Sequence, residues 1–106
     1  MRKAKVYFQN RLAGYLIDKE NAYSFQYEKS YLQDGFPISV TLPLREEEYL
    51  SDVLHPFFDG LIIEGWLLKT AEKNWKMDPN DRFALLMLIG KDTIGAVSVE
   101  EVTDNE

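Results

Sequence analysis

The amino-acid sequence predicts a single α+β domain, a small antiparallel β-sheet with about three short helices packed on one side. Three observations carry that prediction. Apolar and aromatic residues recur at period two as far as residue 42, they switch to three- and four-residue spacing after residue 50, and a short β-branched stretch returns near the end. A chain of 106 residues buries only about two-thirds of the surface its unfolded form exposes, so one core between two layers is the ceiling.

The elements follow in order. Lys5-Val6-Tyr7-Phe8-Gln9 and Leu12-Ala13-Gly14-Tyr15-Leu16-Ile17 are rich in β-branched and aromatic residues, and Asn10-Arg11 between them suits a two-residue hairpin turn. Residues 22–27 place Tyr23, Phe25 and Tyr27 on one face of a half-buried third strand. Phe36 to Pro43 alternates again through Ile38, Val40 and Leu42, and its two prolines suit an edge strand or strand ends. From residue 51 the period is helical: Ser51-Asp52 offers a cap, and Val53, Leu54, Phe57, Phe58 and Leu61 share a face, although Pro56 would force a start near His55 or a kink. A break at Glu64-Gly65 then precedes a helix from Trp66 to Trp75 with Leu67, Leu68, Ala71 and Trp75 facing the core. Asp78 to Asp81 offers caps for a third helix over Arg82 to Ile89, and Gly90 stops it. Thr93 to Val99 returns to the sheet. Residues 1–99 thus form the domain, and residues 100–106 read as an acidic, disordered tail. The expected core includes Val6, Phe8, Leu16, Phe25, Val40, Phe58, Leu68, Phe83, Leu86 and Ile89.

Composition excludes several functions. With no cysteine there is no thiol nucleophile, no cysteine-ligated metal and no disulfide framework, which fits a reducing cytoplasm. The basic opening residues lead into an apolar stretch too short for a signal peptide, and no apolar run approaches the roughly 20 residues of a bilayer span. Charge is uneven: residues 1–45 carry seven Lys and Arg against four acids, a net of +3, whereas residues 46–106 carry five against fourteen, a net of −9. Nucleic-acid binders concentrate positive charge instead, so direct nucleic-acid binding is not expected. The acidic half reads as a solvated face or as a surface that docks on a basic partner.

Little catalytic chemistry is available. Ser51, His55 and Asp59 can be drawn as a triad around the single histidine, but a spacing of four residues on one helix strings them along the axis instead of bringing them together. No catalytic residue is assigned. Glu46-Glu47-Glu48 and Asp78 to Asp81 lack the alternating ligands of a calcium loop, and Gly90-Lys91-Asp92-Thr93 lacks the partner glycine of a phosphate-binding loop, so neither a metal nor a cofactor is expected. Trp66 remains. It is read either as an exposed anchor for a partner or as a cap on its own helix's core, while Trp75 reads as core.

Three segments, taken together, resemble a known family. Leu42-Pro43-Leu44, the run Pro56-Phe57-Phe58-Asp59-Gly60-Leu61-Ile62-Ile63-Glu64-Gly65, and Phe83 through Val97 with its Ile89-Gly90-Lys91-Asp92 and Gly95-Ala96-Val97, look like the N-terminal subdomain of the HipA family of bacterial serine/threonine kinase toxins. The family's L-L-P-E-G loop stands here as Leu61-Ile62-Ile63-Glu64-Gly65, without the proline. The resemblance covers nearly the whole chain, and the kinase core that follows this subdomain in full-length members is absent from these residues. It is most like the stand-alone form, the HipS antitoxin of three-gene toxin–antitoxin systems. That implies a non-catalytic antitoxin which binds and inhibits a separate HipA- or HipT-like kinase, with a helix-turn-helix HipB-like protein in the same complex. The alternative it implies is a regulatory N-terminal domain excised from a full-length toxin kinase. By the same resemblance the partner-binding residues are Phe57, Asp59, Glu64, Gly65 and Trp66, with Trp66 entering or occluding the kinase active site.

Overall fold

The computed structural model describes residues 2–68, 81–89 and 96–102, without the side chains of residues 63–68 and 89. Strands β1 (Arg2–Phe8), β2 (Arg11–Asp18) and β3 (Tyr23–Tyr27) lead into helix α1 (Lys29–Asp34) and strand β4 (Tyr49–Ser51). Helix α2 (Pro56–Leu68), helix α3 (Arg82–Ile89) and strand β5 (Val97–Glu101) complete the order. The five strands form one antiparallel sheet in the order β4-β3-β2-β1-β5, so β5 returns to pair with β1. The α+β class is as the sequence predicts; the described residues hold three helices beside one antiparallel sheet, though not the same three that the sequence suggested.

The first hairpin turns one residue earlier than expected. Gln9 and Asn10 both adopt positive φ, 51° and 68°, the backbone of a type I′ turn whose twist matches that of the strands. Arg11 is therefore the first residue of β2. At Gly14 the sheet and its aromatic layer come too close for a side chain. A Cβ there would lie 2.4 Å from the Gln26 carbonyl oxygen and 3.0 Å from the Phe25 ring.

One face of the sheet holds the core. Ala4, Val6, Leu16, Phe25, Tyr27, Val97 and Val99 are buried against Phe58, Leu61 and Ile62 of α2 and Phe83, Leu85 and Leu86 of α3. Phe25 joins the layers, its ring 4.9 Å from Tyr27 and 5.5 Å from Phe58. Each such large side chain taken fully out of water contributes about 1.5 to 3 kcal/mol, the main force holding the helices to the sheet. Val6, Leu16, Phe25, Phe58, Phe83 and Leu86 are buried as expected, and Phe8 packs partly against them. Leu68 and Ile89 have side chains outside the described ones.

Several expectations are corrected. Val40 is 95% exposed. The 36–43 segment is no edge strand but a tight turn closed by the Leu42 amide on the Ser39 carbonyl at 3.0 Å, which buries Ile38 and Leu42 and swings Val40 outward. The fourth strand lies later, at β4. Helix α1 was not foreseen, because its N-cap is Glu28, whose carboxylate takes the Ser30 amide at 2.9 Å in place of the usual Ser, Thr, Asn or Asp. Ser51 belongs to β4 and caps no helix. α2 starts at Pro56, as that proline suggested, but continues through the expected break at Glu64-Gly65 to Leu68. A mid-helix glycine costs only about 1 kcal/mol, which packing elsewhere offsets. β5 runs to Glu101, two residues into the expected tail. The Trp66–Trp75 helix falls, beyond Leu68, outside the described residues.

Candidate partner-binding face

The residues singled out from the sequence gather on α2, so its construction decides what they can do. Pro56 occupies the first helical position, where its missing N–H costs nothing. His55 caps the helix: its carbonyl accepts from the Phe58 and Asp59 amides at 2.9 and 3.1 Å, and its Nδ1 accepts from the Phe57 amide at 3.1 Å. The imidazole sits edge-on to Phe58 with ring centres 6.4 Å apart, and burial pushes its pKa below the ordinary histidine value. A neutral ring is what the cap requires, since a protonated Nδ1 accepts nothing.

Phe57 is half-buried, its ring 5.3 Å from Phe58 and nearly perpendicular to it. Asp59 is held by Arg82 of α3, whose Nε lies 2.9 Å from the carboxylate. The backbones of Glu64, Gly65 and Trp66 fall within the C-terminal half of the same helix, and their side chains lie outside the described ones. Trp75 lies outside them altogether. α2 thus brings all five expected contact residues onto one element of 13 residues.

The Ser51–His55–Asp59 set does not assemble as a triad. Ser51 Oγ accepts from the Val53 amide at 3.3 Å, His55 Nδ1 is taken by the helix cap, and Asp59 is paired with Arg82. Among the described residues no group of three or more His, Asp or Glu side chains could hold a metal ion, and no helix is long and apolar enough to cross a membrane.

Sequence reasoning missed Arg82 and Arg2. Arg2 donates to Asp81 at 3.0 and 2.9 Å, across 79 positions of the chain. The hydrogen bond from Arg2 holds the Asp81 carboxyl below its usual range, and the same contact raises the pKa of the Arg2 guanidinium. Only the Asp81-Arg82 pair of opposite charges at the start of a helix hinted at this in the sequence.

Comparison with known proteins decides the family. The model of the family described as the HipA N-terminal domain matches residues 4–100. The chain belongs to the HipA N-terminal domain family. It is 31% identical over 101 residues to an uncharacterized Haemophilus influenzae protein, covering 95% of this chain and 93% of that one. A Sinorhizobium fredii protein named "Putative kinase Y4mE" is 29% identical over 102 residues, covering 93% of this chain but only 24% of its own length. Among solved structures, one named as the N-terminal domain of HipA toxin superposes with a TM-score of 0.76 at 27% identity, covering 98% of this chain and 95% of that one. A chain of the Shewanella oneidensis MR-1 complex of HipA, HipB and operator DNA gives a TM-score of 0.63 at 21% identity, over 97% of this chain and 24% of that one, and shows a shared fold. The HipA N-terminal fold therefore recurs both in a chain of similar length and as about a quarter of longer proteins.

Proposed function

We propose that this chain is a non-catalytic antitoxin that binds a separate HipA- or HipT-like serine/threonine kinase and silences it by occluding its active site. A HipB-like helix-turn-helix protein completes the complex, in the cytoplasm. The observation that carries this reading is the match to the HipA N-terminal domain over nearly the whole chain, together with a relative of almost equal length. The chemistry agrees with it. A single histidine engaged as a helix cap, in a chain without cysteine, supports binding over catalysis as its mode of action. Phe57, Asp59, Glu64, Gly65 and Trp66 form the contact segment along α2, with Trp66 as the anchor.

A rigid indole buries a large area for little entropy, so a Trp anchor of this kind contributes about 2 to 4 kcal/mol to binding. The test is growth of cells that co-express the HipA-family kinase of the same genome with this chain or its variants. Trp66→Ala is expected to release the kinase while the domain stays folded, whereas Trp75→Ala lowers stability first. Full neutralisation by folded Trp66→Ala would sink the anchor role. A second reading, a regulatory domain of a longer kinase, draws on the match to a quarter of the Sinorhizobium protein. The mass of the native protein on an immunoblot separates the two.

A further inference from the structure

Two sets of charged side chains, joined through the backbone at the adjacent Asp81 and Arg82, link four elements. Arg2 of β1 reaches Asp18 at the end of β2 through Nε at 3.0 Å, and its guanidinium lies 5.0 Å from the centre of the Phe83 ring. The same guanidinium forks onto Asp81, which caps α3 by accepting the Ala84 amide at 3.2 Å. The neighbouring Arg82 then crosses to Asp59 of α2 at 2.8 and 2.9 Å.

We infer that these charges form a clasp that sets the seating of α2 on the domain, with Arg82 and Arg2 as positioning residues for the face α2 presents to its partner. It rests on the binding role proposed above and gives Asp59 a part played from inside the fold. The physical need for a clasp is plain. Phe58, Leu61 and Ile62 hold α2 by apolar contact, which is strong but carries little directional preference of its own. Directional, charge-assisted hydrogen bonds fix the angle. The side chains of Asp59 and Arg82 remain 40% and 36% exposed, so the pair adds little to global stability. Its effect belongs to geometry.

The experiment is a double-mutant cycle of Arg82→Met and Asp59→Asn. It is read by kinase association and dissociation rates and, on the isolated domain, by amide hydrogen exchange, with folding checked by circular dichroism. Each single variant should weaken kinase binding by about 3- to 10-fold through faster dissociation, and the double variant should be no worse than Asp59→Asn alone. Amides of α2 should exchange faster while those of β1 and β2 stay protected. Arg2→Met should move both readouts the same way, and Arg82→Lys, which keeps the charge without the fork, should recover part of the loss. If Arg82→Met fails to fold, the Lys variant and Asp59→Asn carry the same comparison. Binding and α2 exchange like the wild type in Arg82→Met would overturn the clasp, as would losses that add in the double variant, which would mean that Asp59 meets the kinase independently. If the wild-type chain does not bind the kinase, the antitoxin reading fails and the α2 exchange rates alone decide the clasp.

Discussion

The Tyr27 hydroxyl holds Leu42 in place: it donates to the Leu42 carbonyl and accepts the Ile38 amide at 3.1 Å, closing both ends of the 38–42 turn from beneath. All three residues are buried. Burial pushes the phenol pKa up to about 12, so the hydroxyl keeps the proton that it donates.

Removing that hydroxyl strands a buried amide and a buried carbonyl at once. Tyr27→Phe should therefore destabilise the domain by about 1 to 3 kcal/mol, the cost of leaving buried polar groups unpaired. Urea unfolding measures it, and a loss well below 1 kcal/mol would mean that water reaches the turn. The ring stays, so its contacts with Phe25 and Tyr31 should survive.

What was legible in the sequence was local. Strands β1 to β3 follow from period two because one face of each is buried against the same aromatic layer, and α3 follows from its apolar run and the Asp81 cap. The 36–43 segment misled because alternation counts apolar letters and not direction: a turn closed by Ser39 and Leu42 inverts the middle of an otherwise strand-like pattern. Gly65 misled in the opposite sense, since a helix driven by burial of Phe58, Leu61 and Ile62 runs through a residue of poor propensity. In the candidate site, the contiguity of Phe57 to Trp66 was legible; that one unbroken helix would turn Phe57 and Trp66 to opposite sides of its axis was not, because the expected break at Glu64-Gly65 had placed them on a turn. Nor was the partner of Asp59 legible, because Arg82 lies 23 positions away and only the packing of α2 on α3 brings it near.

His55 makes the stability of the domain dependent on pH in a defined window. Its pKa in the folded state is depressed by burial, so the unfolded chain takes up the proton first. The stabilisation is complete above the unfolded value of about 6.5 and is lost as pH falls below it. Protonation also removes the Phe57 amide's acceptor and places a positive charge at the N-terminus of α2, where the helix dipole opposes it. The carboxyls of Glu28, Glu48 and Asp81, lowered by hydrogen bonds from Ser30, Ser24 and Arg2, act in the same direction, but only below their ordinary values of 4.5, 4.5 and 3.8. A fall in melting temperature between pH 7 and pH 5 is thus assigned to His55. His55→Asn, which caps a helix without titrating, should flatten that fall, and an unchanged pH profile in the variant would refute the assignment.

Phe57 and Phe58 are adjacent and should behave oppositely. Phe58 is fully buried between Phe25 and α2's own cap, so Phe58→Ala opens a cavity that costs about 3 to 5 kcal/mol. A domain of this size holds only about 5 to 15 kcal/mol in total, and that variant should be partly unfolded at 37 °C. Phe57 leans on Phe58 from the half-exposed side, so truncating it removes an edge contact worth about 0.5 to 1.5 kcal/mol. On the proposed docking face its larger effect should fall on the complex. Phe57→Ala is expected to lower the urea midpoint much less than Phe58→Ala does, while weakening kinase capture about tenfold, the equivalent of roughly 1.4 kcal/mol. Capture at wild-type strength by a folded Phe57→Ala variant would move the interface away from the start of α2 and leave its C-terminal half, with Glu64 and Trp66, to carry the contact.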